Sequence, residues 1–168
     1  MAFALAAISG GASAQSADDA RAGVARVNLI SSNPIGLLFE WYNGEFEHAL
    51  SPTTSIAVAG TSYDFNDARY TSVDGIARYY PSARALRGFS VGVSLGLVGV
   101  NDKSCNGYAI CEEDDFTAAT VGVRGDYVWI LGRDQRFSVA TGIGAKRILR
   151  DSDVEGLPVG RLSLGYAW

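Results

Sequence analysis

From residue 23 to the C-terminus, apolar side chains recur at nearly every second position, and no segment keeps a helical period over three turns. Alternation of this kind is the mark of β-strands with one apolar face. The clearest run is 89–97. Phe89, Val91, Val93, Leu95 and Leu97 share one face; Ser90, Gly92, Ser94 and Gly96 share the other. A strand of a water-soluble sandwich would carry Lys, Glu and Thr on its polar face. Ser and Gly alone suit the crowded interior of a narrow barrel whose apolar face meets lipid.

The same pattern predicts the other strands. In 116–131, Ala119, Val121, Val123, Tyr127 and Trp129 face out, and Thr120, Gly122, Arg124 and Asp126 face in. In 137–149, Phe137, Val139, Thr141 and Ile143 oppose Ser138, Ala140, Gly142, Gly144 and Lys146. In 71–80, Val73, Ala77 and Tyr79 oppose Ser72, Asp74, Arg78 and Tyr80. The segment 54–63 is a small-residue strand carrying Ile56 and Val58. The long segment 35–50 reads as a strand with Trp41, Asn43, Glu45 and Glu47 inward and Tyr42, Phe46 and His48 outward. In 23–31, Ala25, Val27 and Leu29 are expected outward, Arg26 and Asn28 inward. The chain ends on Arg161-Leu162-Ser163-Leu164-Gly165-Tyr166-Ala167-Trp168, alternating to the last residue, where most chains turn polar and fray.

Connections alternate in length. Those at 51–53, 81–87 and 132–136 read as short turns, and 64–69, 101–115 and 150–156 as polar loops. Short turns at one end and longer loops at the other are the plan of a transmembrane barrel. Counting strands back from the C-terminus requires an upward strand before 35–50, with Ser32-Asn33-Pro34 as its outer turn. The expected fold is all-β: a closed antiparallel up-and-down transmembrane β-barrel of about eight strands, a closure that leaves no exposed edge.

Composition narrows the picture further. No run of about 18 or more apolar residues exists, so no transmembrane helix is expected. Glycine is abundant, at 20 residues, which suits a tight lumen. A net charge of −4 without a basic run argues against a nucleic-acid partner. The apolar start leads into Ala12-Ser13-Ala14, an A-x-A-like cleavage site, so 1–15 reads as a signal peptide without the usual basic residue before its apolar stretch. The segment 16–22 is then a polar lead-in, and 23–168 the barrel domain.

The terminal Leu164, Tyr166 and Trp168 resemble the C-terminal assembly signature of bacterial outer-membrane proteins. Together with the strand alternation and the turn rhythm, the chain over 23–168 resembles the small outer-membrane barrels of the OmpA/OmpX-like superfamily. The phrases Glu45-Phe46-Glu47-His48-Ala49-Leu50-Ser51 and Ala77-Arg78-Tyr79-Tyr80-Pro81 share in that resemblance. It implies a Gram-negative type of outer membrane as location. Outer-membrane lipid and the barrel-assembly machinery are the implied partners, with a monomeric chain. It implies no reaction, because such barrels serve as adhesins, anchors, enzymes and structural proteins.

The inward charges are the first chemical candidates: Arg26, Glu45, Glu47, Asp74, Arg78, Arg124, Asp126, Lys146 and Arg161. In a narrow barrel they are expected to pair with one another and plug the lumen, since buried charge must be compensated. A gated polar pathway or a proton-active carboxylate pair is the sharper alternative. The single His48 lies at a short turn, on the wrong side of the membrane for a hydrolase of outer-leaflet lipid, so no catalytic residue is assigned. Cys105 and Cys111 lie in the long loop and are expected to form a disulfide in an exported chain. The run Glu112-Glu113-Asp114-Asp115 lacks the spacing of a calcium loop and reads as a solvated surface. Gly142-Ile143-Gly144 sits inside a strand and is no nucleotide loop, so no cofactor is expected.

The expected function is therefore a non-enzymatic outer-membrane barrel with a structural, surface-contact or adhesive role. A lipid-active membrane enzyme is one alternative. A soluble lipocalin-like barrel is another, but it would need a greasy lumen and a polar outside, the reverse of the pattern at 89–97.

Overall fold

The computed structural model describes residues 26–65, 68–106, 110–149 and 156–168. Within them, eight strands follow in chain order: β1 (Asn28–Ser32), β2 (Tyr42–Ala49), β3 (Thr54–Phe65), β4 (Ala68–Tyr79), β5 (Gly88–Asn106), β6 (Ile110–Leu131), β7 (Phe137–Leu149) and β8 (Gly156–Ala167). Each pairs antiparallel with the next, and β1 pairs with β8 to close the barrel. The signal-peptide and lead-in segments expected at 1–22 lie outside the described residues.

Facing follows the alternation. Val91, Val93, Leu95 and Leu97 are exposed on the outside of β5, while Ser90 and Ser94 are buried inside. The last strand behaves alike: Leu162, Leu164, Tyr166 and Trp168 are exposed, Ser163 and Ala167 buried. At the end holding the chain terminus and the short turns, here termed the base, outward aromatics ring the barrel. Phe46, Tyr79, Phe89, Tyr127, Trp129, Phe137, Tyr166 and Trp168 all stand there with exposed rings. Exposed apolar walls bounded by an aromatic girdle are what a lipid solvent selects.

Apolar layers line the lumen at both ends. At the base, Leu29, Leu86, Val128, Ala140 and Ala167 pack together. Toward the opposite end, the mouth, Val98, Ala118 and Ile148 pack with Tyr70 and Val100. Tyr70 also stacks on Tyr63, ring centroids 4.8 Å apart, and Tyr63 meets Trp41 at 5.4 Å.

Four sequence expectations are corrected here. The segment 64–69, expected as a polar loop, is strand at 64–65 and 68–69, with Asp64 opposite Arg69 and Phe65 opposite Ala68. Leu29 points inward, not outward: β1 begins only at Asn28, and Leu29 fills the base of the lumen while Ile30 faces out. The segment 35–41 is not strand. Pro34–Leu37 is one helical turn (α1), because Asn33 caps it by accepting from the Ile35 and Gly36 N–H groups and Pro34 presets its first turn. The polar stretch 101–115 is no open loop. β5 and β6 run on through it as a ribbon, in register from Asn101 opposite Asp115 to Asn106 opposite Ile110.

Candidate functional site in the barrel lumen

Between the two apolar layers lie the charged side chains. Alternation turns these charges from five strands inward, and the register of the strands brings them to two adjacent levels. Glu45 and Glu47 come from β2, Asp74 and Arg78 from β4, Arg124 and Asp126 from β6, Lys146 from β7 and Arg161 from β8.

Arg78 is the hub. Its Nη2 donates to both Glu45 oxygens at 2.9 and 3.0 Å, and its Nε to Asp126 Oδ2 at 3.2 Å. Its Nη1 lies 2.7 Å from Glu47 Oε2, an ion pair out of line for a hydrogen bond. Glu47 instead accepts from the Tyr80 hydroxyl at 2.6 Å and from Ser55. Arg161 Nη2 donates to Glu45 Oε1 at 2.5 Å. Arg124 Nε pairs with Asp126 Oδ2 at 2.8 Å. One level toward the mouth, Lys146 Nζ donates to Asp74 Oδ2 at 2.6 Å, with Ser72 and Thr120 hydroxyls at 3.4 and 3.5 Å from the same carboxylate.

These partners make four cations (Arg78, Arg124, Lys146, Arg161) and four carboxylates (Glu45, Glu47, Asp74, Asp126). Each has an opposite charge within 4 Å, which is how charge survives away from water.

Eight of the nine charges expected in the lumen thus meet there. Arg26 does not. It precedes β1, and its Nη2 donates to the Asp134 carbonyl, 2.8 Å away, in the turn between β6 and β7. His48 sits at the base end of β2, its Nδ1 2.8 Å from Asn28 Oδ1. The backbone register sets Cys105 directly opposite Cys111. Tyr80, Ser55, Ser72 and Thr120 join the network as partners that the sequence did not single out. Their only sequence signal is parity, which puts them on the same face as the charges.

A cavity of about 110 Å³ opens beside this network, lined by Ser31, Asn43, Lys146, Arg161 and Ser163 among others. Its small volume and mixed polar and apolar walls admit a few waters or one small polar group.

No protein-family model and no curated protein matches the sequence. Among solved structures, the N-terminal β-barrel domain of OprF from Pseudomonas aeruginosa matches with a TM-score of 0.55 at 18% identity, covering 85% of this chain and 98% of that one. The chain therefore shares the closed, eight-stranded, up-and-down β-barrel fold of that domain.

Proposed function

We propose that this chain is a non-enzymatic barrel of the outer membrane, with a structural, surface-contact or adhesive role and a lumen that conducts nothing. The observation that carries the reading is the neutral set of four cations and four carboxylates held between apolar layers at base and mouth. An ion crossing this lumen would have to break paired, buried charges and pass two apolar constrictions, each step costly in low dielectric. The base, with its aromatic girdle and chain terminus, faces the periplasm, and the β5–β6 ribbon stands outward. Leu164, Tyr166 and Trp168 serve the assembly machinery, and the barrel works as a monomer in outer-membrane lipid.

Two measurements test this reading. In planar bilayers the folded barrel is expected to leave conductance at baseline; steady single-channel steps would overturn the closed lumen. Membrane fractionation is expected to recover the chain with the outer membrane, and lipid A mass spectra should be identical with and without it. A new lipid A species would favour the lipid-active enzyme instead.

A further inference from the structure

The underside of the barrel holds a second cavity, of about 440 Å³, next to the apolar layer that closes the base of the lumen. Part of its wall continues the inward faces of the strands. Val27, Ala49 and Ile130 line it, and each stands two residues from a buried inward residue: Leu29, Glu47 and Val128. The rest comes from the three short turns of the base. The cavity therefore faces down the barrel axis into water, while the aromatic girdle points outward to lipid.

Charge there is one-sided. The lumen network above is neutral, but the described residues lining this cavity include Arg26, Arg84 and Arg87 and no Asp or Glu. The turns around it repeat the bias. Across residues 50–53, 80–87 and 132–136 the charged side chains are Arg84, Arg87, Arg133, Asp134 and Arg136. Arg26 donates through Nη2 to the Asp134 carbonyl, a bond that uses one of the five N–H groups of a guanidinium. A cleft lined by one sign of charge focuses its field and gathers counter-charge.

The turn that carries two of these arginines is built under strain. Ala83 and Leu86 have φ of 53° and 66°, and Gln135 has φ of 50°. All three lie in the left-handed region that favours glycine, and all three line this cavity. Leu86 accounts for its own strain: its side chain fills the apolar layer at the base of the lumen, which a glycine would leave empty. The backbone on both sides is fixed. The Ala83 N–H donates to the Tyr80 carbonyl at 3.1 Å, and the Arg87 N–H to the Arg84 carbonyl at 3.2 Å. Anchored through Leu86, the turn holds Arg84 and Arg87 at the cavity wall. Strained backbone held by its surroundings gathers at ligand clamps.

Much of the remaining lining is apolar, with Leu50, Pro52, Leu86 and Ile130. Arginines set around an apolar surface suit a ligand with carboxylates on an apolar body, because a guanidinium grips a carboxylate through two parallel N–H···O bonds. A leaflet phospholipid would have to draw its headgroup beneath the barrel to arrive here. An extended chain coming from water can lie across the opening.

We propose that the base cavity is a docking site for an acidic, extended peptide segment of a periplasmic protein. Its carboxylates lie on Arg26, Arg84 and Arg87, and its apolar side chains on Leu50, Pro52 and Ile130. The compartment of this partner rests on the orientation proposed above; the site itself does not.

The test uses the full chain refolded in a nonionic detergent and titrated calorimetrically with two blocked pentapeptides, Leu-Glu-Ala-Glu-Leu and Leu-Gln-Ala-Gln-Leu. The acidic peptide is expected to bind at one equivalent, at least ten-fold tighter than its neutral twin, and to weaken as salt rises. Arg84→Gln with Arg87→Gln should cut its affinity ten-fold or more, and lysine at both positions should recover only part of the loss. Arg69→Gln with Arg147→Gln removes the same charge from exposed sites toward the mouth and should leave binding unchanged. Heat-modifiable gel migration checks that each variant is folded. Equal affinity for the two peptides overturns the proposal, as does no binding, or an equal loss in the mouth variant. Displacement of the peptide by acetate or by dihexanoyl phosphatidylglycerol at matching concentration would make this a general anion or lipid-headgroup site and overturn the peptide. Binding that appears only in Asp18→Asn with Asp19→Asn would give the cavity to the chain's own lead-in and overturn the external partner. The titration reads the cavity in either orientation, so peptide binding by a barrel whose base proves to face outward would overturn the periplasmic partner and keep the peptide site.

Discussion

Asp74 on β4 stands directly opposite Gly96 on β5, and its carboxylate occupies the space that a side chain at Gly96 would need. The relation repeats around the lumen. Arg78 faces Gly92, Asp126 faces Gly142, Arg124 faces Gly144 and Lys146 faces Gly122. Each of these large charged groups is thus flanked by an inward glycine, so the charges fit where eight strands leave little room. Gly96→Val should drive Asp74 off Lys146 and destabilise the barrel by about 1–3 kcal/mol, the usual range for overpacking. Gly160→Ala, at an open position, should change stability by less than about 0.5 kcal/mol. Urea unfolding in lipid vesicles separates the two; equal effects would refute the glycine–charge fit.

Arg78 touches three carboxylates from two strands. Arg78→Met keeps much of its bulk and leaves Glu45, Glu47 and Asp126 short of their shared cation. Removing one partner of a buried ionic network costs about 3–5 kcal/mol. Arg78→Lys should recover only part of that, because an ammonium cannot reproduce the guanidinium fork. An Arg78→Met barrel as stable as the parent would show that the network contributes nothing.

Val93 and Val121 face outward, and Ser94 lies inside between them in register. Arginine at either valine should cost about 2–4 kcal/mol in a bilayer. The same penalty should shrink in a short-chain detergent micelle, where water reaches the wall. Ser94→Arg should instead show a crowding penalty that is the same in both media. If the valine variants lose nothing on transfer to bilayers, the inside–outside assignment is reversed.

Trp168 closes the barrel with backbone as well as ring. Its carbonyl accepts from the Val27 and Asn28 N–H groups, both at 3.1 Å, and its N–H donates to the Asn28 carbonyl at 3.0 Å. Its ring stands 6.2 Å from both Phe46 and Tyr166. Deleting Trp168 removes these three hydrogen bonds at the base end of the β1–β8 closure, and Trp168→Asp puts a charge in the aromatic girdle. Both should lower the folded, heat-modifiable fraction in membranes without lowering synthesis. Unchanged folded levels would sink the assembly role.

Cys105 and Cys111 stand opposite each other in the backbone register of the β5–β6 ribbon, the placement a bridge between antiparallel strands requires. Intact cells should therefore label with a membrane-impermeant thiol reagent only after reduction. Labelling without reductant would show free thiols. No labelling after reduction would put the ribbon on the inner side and reverse the orientation.

Alternation is a local property, since it records which solvent each side chain meets. That is why the barrel, the outward valines and eight of the nine lumen charges could be read from the chain before any contact was known. Leu29 escaped that reading because its facing depends on where β1 begins, and β1 is trimmed by its pairing with Ala167 and Glu47. The turn at Pro34–Leu37 escaped because Ile35, Leu37 and Phe39 alternate as a strand would, while the Asn33 cap and the lack of a strand partner wind them into a helix. The ribbon at 101–115 escaped because its polar residues look like a loop until two stretches of that polarity pair with each other. Tertiary structure alone decided which charge meets which. Glu45 and Arg161 lie 116 residues apart, and only barrel closure and the stagger of its strands bring that carboxylate to that guanidinium.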